Sequence, residues 1–274
     1  MTFQEAWNHA FPSLIGILAI VCAVFSAVGF YKFVYFLSIG YGLAVSGVGA
    51  TLLIMFNSGL SPACLVQCLL LIVYGIRLSG FLIFREFRSL SYRKTLEETT
   101  KTEKPMPLFV KAVIWICVVA LYVAQTSPIA YRISNDVQQG VIPWIGAFIM
   151  AIALIIETLS DMQKTASKKQ NPHRFCDIGL YKIVRCPNYF GEILFWTGVL
   201  VSGFGALQGL WQWIIAILGY ILIVYVMFSG AKRLETRQAK SYGKLKEYQD
   251  YVKKTPILIP LVPLHSLLKW DFIK

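Results

Sequence analysis

The stretch GLYKIVRCPNYFGEILFW, residues 179–196, places two cations, an asparagine, two tyrosines and a glutamate directly before an apolar run. Proline fits the first turn of a helix, where its missing N–H is not needed, so we predict that a helix begins at Pro187. Asn188 and Glu192 then lie one turn apart at an end whose free N–H groups and dipole favour anions and polar ligands. The stretch therefore predicts a ligand-binding mouth at the start of an apolar helix.

The composition places this helix in a membrane. The chain is 57% hydrophobic and 15% charged, with a mean hydropathy of +0.61, which is more apolar than a soluble domain of this length. The first apolar run lacks a basic flank and a small-residue cleavage site, so we predict that it is retained as a span. Runs of about 20 apolar residues cross a bilayer as helices. We therefore predict an all-α integral membrane protein with seven transmembrane helices, at residues 12–30, 34–56, 62–84, 108–126, 141–158, 190–204 and 209–230.

The net charge of +12 follows the predicted spans. Lys and Arg cluster in residues 85–106, 161–187 and 232–274, whereas segments 1–11, 57–61, 126–140 and 203–210 contain only Arg132. The positive-inside rule then puts the N-terminus outside and the C-terminus in the cytoplasm. Because topology explains the basic charge, we expect membrane lipids and no nucleic acid among the partners.

The remaining common site patterns are weak. Six cysteines and three histidines are scattered without metal-ligand spacing, so we expect neither a metal site nor a disulfide framework. The glycines of GYGLAVSGVGA, residues 40–50, lie inside a span with no strand before them. We interpret them as sites of close helix packing rather than as a dinucleotide-binding loop.

Two further polar sets stand out against the apolar background. Arg77 lies within the third predicted span, one turn after Tyr74, and either lines a polar cavity or extends to the lipid head groups. The fifth predicted span ends with Glu157 and Asp161 on one face. These carboxylates either form solvated pairs with nearby lysines or accept hydrogen bonds from a ligand. The lysines on that face are Lys164 and Lys168, and the loop adds Lys169, Arg174 and Lys182, a cluster suited to an anionic partner.

These motifs together resemble a known family. GLYKIVRCPNYFGE resembles the G-L-W-x-x-x-R-H-P-N-Y-x-G-E signature of bacterial membrane reductases related to steroid 5-alpha-reductases, sterol C14 reductases and enoyl-CoA reductases. The segments YGIRLSGFLIFRE, IETLSDMQK and the basic tail ending in Ile-Pro are also similar, over roughly residues 70 to 270. The resemblance implies seven spans and an NADPH cavity that opens to the cytoplasm. It also implies that a lipid-like enone enters from the membrane.

Carried over by position, the resemblance implies a site for each half of the chain. Residues 1–107 would form the lipid or substrate half and residues 108–274 the cofactor half with its basic tail. In the first half, Tyr74 would hydrogen-bond the substrate carbonyl, with Arg77 one turn on. The implied NADPH residues are Asp161, Lys164, Lys168, Tyr181, Arg185, Asn188, Tyr189, Glu192, Arg233 and Arg237.

The chain departs from the family pattern at two points. Steroid 5-alpha-reductases carry a Gln-Glu pair around the second span, whereas residues 12–60 here contain no acidic residue. Tyr35, Tyr41 and Asn57 are the candidates to replace its glutamate. Cys186 stands where the family has the His of its R-H-P motif. These departures argue against an orthodox steroid as the substrate.

Two other classes fit part of the pattern. Membrane methyltransferases of the isoprenylcysteine and phospholipid type share a similar Arg-His-Pro motif and a tail with Tyr-x-x-Tyr and Ile-Pro, and they bind S-adenosylmethionine. A catalytically silent lipid-binding relative is the third class. Asn188, Glu192, Asp161 and the pair Tyr74 and Arg77 favour the reductase. We expect a multi-pass protein of the bacterial inner membrane, or of the endoplasmic reticulum if eukaryotic, with its site facing the cytoplasm.

Overall fold

The computed structural model describes residues 12–88 and 107–270. These residues form helices joined by short loops, and the described ranges contain no strand. The α-helices are α1 (Ser13–Ser26), α2 (Ile39–Met55), α3 (Pro62–Arg88), α4 (Leu108–Ser134), α5 (Ile142–Gln170), α6 (Pro187–Gly203), α7 (Gly209–Tyr242) and α8 (Lys246–Lys254). Short 3-10 helices occupy Ala27–Phe30, Phe33–Leu37 and Gly179–Lys182.

Each predicted span coincides with a helix, and six of them are long and apolar enough to cross a membrane. These six are Ser13–Phe30, Phe33–Met55, Pro62–Arg88, Leu108–Ser134, Ile142–Gln170 and Gly209–Tyr242. The remaining one, α6, has 17 residues, compared with 18 in Ser13–Phe30, the shortest of the six. The seventh span and the orientation of the termini therefore stay predictions.

The chain divides into two compact units. Unit 1 comprises residues 1–147 and 199–220, and unit 2 comprises residues 148–198 and 221–274. The boundaries fall within α5, α6 and α7, so each of these helices contributes residues to both units. The division of function at residue 107 that the resemblance implies stays a prediction.

In unit 1, glycines bring α2 and α3 into close contact, which confirms the packing interpretation of GYGLAVSGVGA. A Cβ atom added to Gly75 would lie 2.1 Å from the Gly42 carbonyl oxygen, so only glycine fits there. Hydroxyls join the same two helices, because Ser46 Oγ donates to the Ile72 carbonyl at 3.0 Å and Ser79 Oγ donates to the Ile39 carbonyl at 3.0 Å. Small residues of this kind allow helices in a membrane to approach closely.

The end of α4 corrects one sequence expectation. The fourth predicted span ends at residue 126, whereas the helix continues through Pro128 to Ser134. Proline has no N–H for the carbonyl four residues earlier, and Ser127 Oγ donates to that carbonyl, of Ala124, at 2.8 Å. Arg132 is buried, and its guanidinium donates to the carbonyls of Val137, Ser202 and Phe204.

Unit 2 has an apolar core at the start of α6. The core joins that helix to α7 and to the C-terminal segment 255–270. Its buried members are Cys186, Ile193, Ala231, Ile257, Leu258 and Leu267. Trp270 stacks on Phe228 at 6.3 Å between ring centroids, and its carbonyl accepts a hydrogen bond from Lys232 Nζ at 2.8 Å. The C-terminal segment is therefore part of the core that supports α6.

Candidate functional site

The helix α6 begins at Pro187, as the sequence predicts. The backbone N–H groups of Arg185 and Cys186 donate to the carbonyls of Pro256 and Ile257 at 2.9 and 3.0 Å. This pairing fixes the chain just before the helix to the C-terminal segment. The first N–H groups of a helix have no partner within it, so the start of α6 presents hydrogen-bond donors from a fixed position.

Arg185 lies inside unit 2 rather than on its surface. The side chain is 1% exposed and donates through Nη2 to Glu235 Oε1 at 2.9 Å, and Glu235 is 3% exposed. The same guanidinium donates to the His265 carbonyl, and Glu235 Oε2 accepts the Leu267 N–H at 2.8 Å. The ion pair therefore joins α6, α7 and the C-terminal segment, and the predicted contact of Arg185 with NADPH stays a prediction.

Asn188 and Glu192 lie on the first two turns of α6. Trp196 Nε1 donates to Glu192 Oε1 at 2.8 Å, which orients this buried carboxylate. Asn188 Oδ1 is buried and accepts no hydrogen bond from the described residues. A buried acceptor of this kind is costly, so Asn188 Oδ1 is suited to a ligand N–H or O–H.

A second carboxylate lies against the same helix. Glu157 of α5 is 1% exposed, so the interpretation of this residue as a solvated surface charge is wrong. A Cβ atom added to Gly191 would lie 2.5 Å from Glu157 Cγ, which shows how closely α5 and α6 approach there. Glu157 is not among the predicted cofactor residues. Its position four residues before Asp161, on the same helix face, is the sequence signal that points to it.

Three of the predicted cofactor residues lie around the loop before α6: Tyr181, Asp161 and Lys164. Tyr181 is buried, and burial is the main cause of its raised pKa, with smaller contributions from neighbouring groups that include the Asp161 carboxylate. Burial also raises the pKa of the Cys186 thiol from its ordinary value of 9.0 to about 12, against the opposing effects of Arg185 and Lys164. Asp161 and Lys164 are half-buried. The structure thus brings both close to the residues that precede α6.

Lys168 closes the following loop. Its Nζ donates to the Pro172 and Arg174 carbonyls at 3.2 and 2.6 Å and to the Tyr242 hydroxyl at 2.8 Å. Arg174 pairs in turn with Asp177 and Glu247 at 2.9 and 2.7 Å, and these pairs raise its pKa. Lys168 and Arg174 therefore fix the conformation of this loop. The predicted contact of Lys168 with NADPH stays a prediction.

The remaining cofactor candidates lie on or against α7. Arg233 and Arg237 are exposed one turn apart, which leaves their guanidinium groups accessible to an anion. Tyr189 packs against Gly230, where an added Cβ atom would lie 3.2 Å from the tyrosine Cζ. The structure therefore places the ten predicted cofactor residues in unit 2.

The Tyr-x-x-Tyr of the tail has a packing role. Tyr248 and Tyr251 of α8 each lie 5.2 Å from Phe175, between ring centroids, and Tyr251 donates its hydroxyl to the Tyr181 carbonyl at 2.7 Å. These contacts fix α8 against the loop before α6. The motif shared with membrane methyltransferases is thus accounted for by structure alone, whichever cofactor binds.

Tyr74 and Arg77 belong to unit 1. Tyr74 is fully buried, and its ring contacts Tyr41 edge-on at 6.0 Å, while Tyr41 lies 5.1 Å from Tyr122 of α4. Arg77 is half-buried one turn further along α3. The buried tyrosines form a relatively dry environment, in which a hydrogen bond to a ligand is stronger than in water.

A carboxylate does reach the second span, although none is encoded there. Glu86 at the end of α3 accepts a hydrogen bond from the Tyr35 hydroxyl at 2.6 Å and forms an ion pair with Lys32. Tyr35, one of the candidates to replace the missing glutamate, is therefore held by Glu86. The sequence gives no sign of this contact, because the two residues are 51 positions apart. Within residues 12–88 and 107–270, no three His, Cys, Asp or Glu side chains are grouped as a metal site would require.

The chain is similar to a described protein family and to a steroid reductase. The model of a family described as "Protein of unknown function (DUF1295)" matches residues 24–255. Steroid 5-alpha-reductase DET2 of Gossypium hirsutum is 27% identical over 119 residues, which cover 43% of this chain and 41% of that relative. The match thus spans about two fifths of the relative's length. No solved structure matches this chain.

Proposed function

We propose that this chain, which belongs to the DUF1295 family, is a membrane oxidoreductase that uses NADPH to reduce the C=C bond of a conjugated carbonyl in a lipid-like substrate. The observation that carries the proposal is the set of buried polar groups at the start of α6, in a chain similar to a steroid 5-alpha-reductase. The substrate is steroid-like, sterol-like or enoyl. The cytoplasmic side of the membrane is the proposed position of the cofactor mouth.

The side chains of unit 2 fit a dinucleotide that carries phosphates. Asn188 offers a buried acceptor to a carboxamide or ribose group, and Glu192 is a carboxylate oriented by Trp196. Asp161 completes the polar groups proposed for the ribose and amide. Lys164, Lys168, Arg233 and Arg237 are the proposed phosphate contacts, and Tyr181 and Tyr189 border the same site. Arg185 acts on α6 through its ion pair with Glu235, which we assign as its part in cofactor binding.

The chemistry divides between the cofactor and the chain. NADPH, when bound, supplies the hydride that the β-carbon of the conjugated carbonyl receives. Tyr74 donates a hydrogen bond to the carbonyl oxygen and stabilises the negative charge that develops there as the enolate forms. Arg77, one turn along the same helix, adds positive charge near that oxygen. A proton delivered to the α-carbon completes the reduction.

Ligand-induced thermal stabilisation tests the cofactor assignment. The detergent-purified protein is titrated with NADPH, NADH and S-adenosylmethionine, because a ligand that binds the folded state alone raises the unfolding midpoint. NADPH is expected to raise it and NADH to raise it less, since the 2′-phosphate engages the additional cations. Asn188→Ala and Glu192→Gln are expected to lose most of the NADPH shift.

A variant on the same helix provides the control. Thr197 Oγ1 donates a hydrogen bond to the Ile193 carbonyl at 2.8 Å, and Thr197 is not one of the proposed cofactor residues. The NADPH-induced shift of Thr197→Val should therefore match that of the parent. Stabilisation by S-adenosylmethionine alone would replace the reductase with the methyltransferase. If none of these cofactors raises the unfolding midpoint, the catalytically silent lipid-binding protein is the remaining interpretation. Catalysis is then followed as NADPH oxidation with an enone, where Tyr74→Phe should slow turnover about 100-fold or more.

A further inference from the structure

Gln125, in the middle of α4, is a buried polar side chain without a hydrogen-bond partner. It is 3% exposed, and neither its Oε1 nor its Nε2 bonds to any residue that the structure describes. The large majority of buried polar side-chain atoms in proteins are hydrogen-bonded, and the core of a membrane supplies no water to replace a missing partner. An amide with both ends unsatisfied therefore indicates a group that binds there.

Three other polar side chains of unit 1 donate hydrogen bonds, whereas Gln125 donates none to the described residues. The Arg132 guanidinium, two turns further along α4, donates to three backbone carbonyls. Asn135 Nδ2 donates to the Ala206 carbonyl and to Gln212 Oε1, both at 2.8 Å. Gln67 Nε2 donates to the Pro143 carbonyl at 2.6 Å and to Ser202 Oγ at 2.9 Å. Gln67 Oε1 also lacks a hydrogen-bond partner among the described residues, whereas Gln125 lacks one at both ends of its amide.

The backbone holds Gln125 in its position. A Cβ atom added to Gly219 of α7 would lie 2.5 Å from the Gln125 nitrogen, so α7 packs directly on this turn of α4. The helix cannot rotate there without a clash. The Gln125 backbone is therefore held at a fixed place, and its side chain is buried.

The amide lies on the helix face that leads to Tyr74. Tyr122 precedes Gln125 by three residues, one turn earlier on the same face, and both are buried. Tyr122 contacts the Tyr41 ring, and Tyr41 contacts the Tyr74 ring. The ring contacts that begin at Tyr74 therefore reach Tyr122, one turn from Gln125 on the same face of α4.

We infer that Gln125 binds a hydroxyl group at the end of the substrate remote from its conjugated carbonyl. A hydroxyl donates and accepts at one atom, and so satisfies both the Oε1 and the Nε2 of the amide. This inference rests on the proposed function in assigning the conjugated carbonyl to Tyr74. It defines the substrate class as an elongated lipid with an enone or enal at one end and a hydroxyl at the other.

Binding of matched ligand pairs to Gln125→Leu tests the inference. One pair is androst-4-en-3-one and its 17β-hydroxy form, and the other is trans-2-hexadecenal and its 16-hydroxy form. Affinity is measured for the full-length protein in nanodiscs by thermal shift and by quenching of intrinsic tryptophan fluorescence, without NADPH. The parent is expected to bind the hydroxylated member of at least one pair about 10-fold more tightly, and Gln125→Leu should remove that preference while binding the other member as the parent does.

Two controls separate ligand binding from a structural role. Thr126 is buried beside Gln125, but its Oγ1 already donates to the Tyr122 carbonyl at 2.7 Å, so Thr126→Val should keep the preference. The ligand-free midpoint of Gln125→Leu should equal or exceed the parent's, because an unsatisfied amide is replaced by an apolar group. A fall in that midpoint, or a parent without hydroxyl preference in either pair, overturns the inference. Hydroxyl preference without any NADPH oxidation would instead contradict the proposed function and leave Gln125 as the site of a hydroxylated lipid.

Discussion

Burial makes two arginine ion pairs near the same loop contribute differently to stability. Arg185 and Glu235 form an ion pair that is almost wholly out of water, whereas Arg174 and Glu247 pair at the surface, with side chains 46% and 69% exposed. A buried charge that loses its partner keeps its desolvation cost, but an exposed charge is simply solvated. The two pairs should therefore respond differently to the loss of their carboxylates.

We predict that Glu235→Ala destabilises unit 2 by about 3–5 kcal/mol, because the Arg185 guanidinium is left charged and buried and the Leu267 N–H loses its acceptor. The matched change Glu247→Ala should cost no more than about 1 kcal/mol. Thermal unfolding of both variants in detergent measures the difference. Equal losses of stability would show that the ion pair does not hold α6, α7 and the C-terminal segment together.

At the scale of elements, the apolar pattern located a helix at each of the seven predicted spans but not the full length of each helix, and it did not mark α8. The fifth and seventh runs were predicted to end at residues 158 and 230, whereas α5 continues to Gln170 and α7 to Tyr242. Hydropathy marks only the part of a helix that lies in hydrocarbon, and a helix continues past it when polar residues still form backbone hydrogen bonds. The fourth run likewise ends at residue 126 in the prediction, whereas α4 continues to Ser134, and the Arg132 guanidinium on this added part is satisfied by carbonyls distant in sequence.

The candidate site was predictable only in part. The start of α6 at Pro187 follows from local chemistry, so it could be read from the sequence. Long-range pairing could not, because the partner of Arg185 is 50 positions away and that of Tyr35 is 51 positions away. Gln125 likewise carries no sequence signal, since only its packed surroundings show that its amide is unsatisfied.

Close approach of α5 and α6 depends on one missing methyl group. We predict that Gly191→Ala destabilises the protein by about 1–3 kcal/mol and weakens NADPH binding, because the new Cβ would displace Glu157 from a packed position. The control is Gly80→Ala on α3, where no atom lies within 4 Å of the added Cβ. It should stabilise the helix by about 0.5–1 kcal/mol. If Gly191→Ala behaves like Gly80→Ala in unfolding and cofactor titration, the contact between Glu157 and α6 has no importance for the site.

At the scale of the whole molecule, the side on which the cofactor mouth opens depends on the number of spans. The start of α6 faces the cytoplasm if the basic segments 161–187 and 232–274 both lie on that side, as the charge distribution predicts. Within residues 12–88 and 107–270, six helices meet the length expected of a span, and α6, with 17 residues, decides whether that number is even or odd.

A helix of 17 residues is about 25 Å long, at the lower limit for a bilayer whose hydrocarbon core is about 30 Å thick. Its one charged residue, Glu192, is buried and accepts a hydrogen bond from Trp196. This burial keeps the carboxylate away from lipid and lowers the cost of inserting α6 into the membrane. We therefore predict that α6 spans the membrane and that the termini lie on opposite sides, the N-terminus outside. Reporters fused in turn to each end, one active only in the cytoplasm and the other only outside it, measure the orientation. Cytoplasmic signal from the C-terminal fusion and outside signal from the N-terminal fusion support seven spans, whereas termini on the same side would mean that α6 enters the membrane without crossing it.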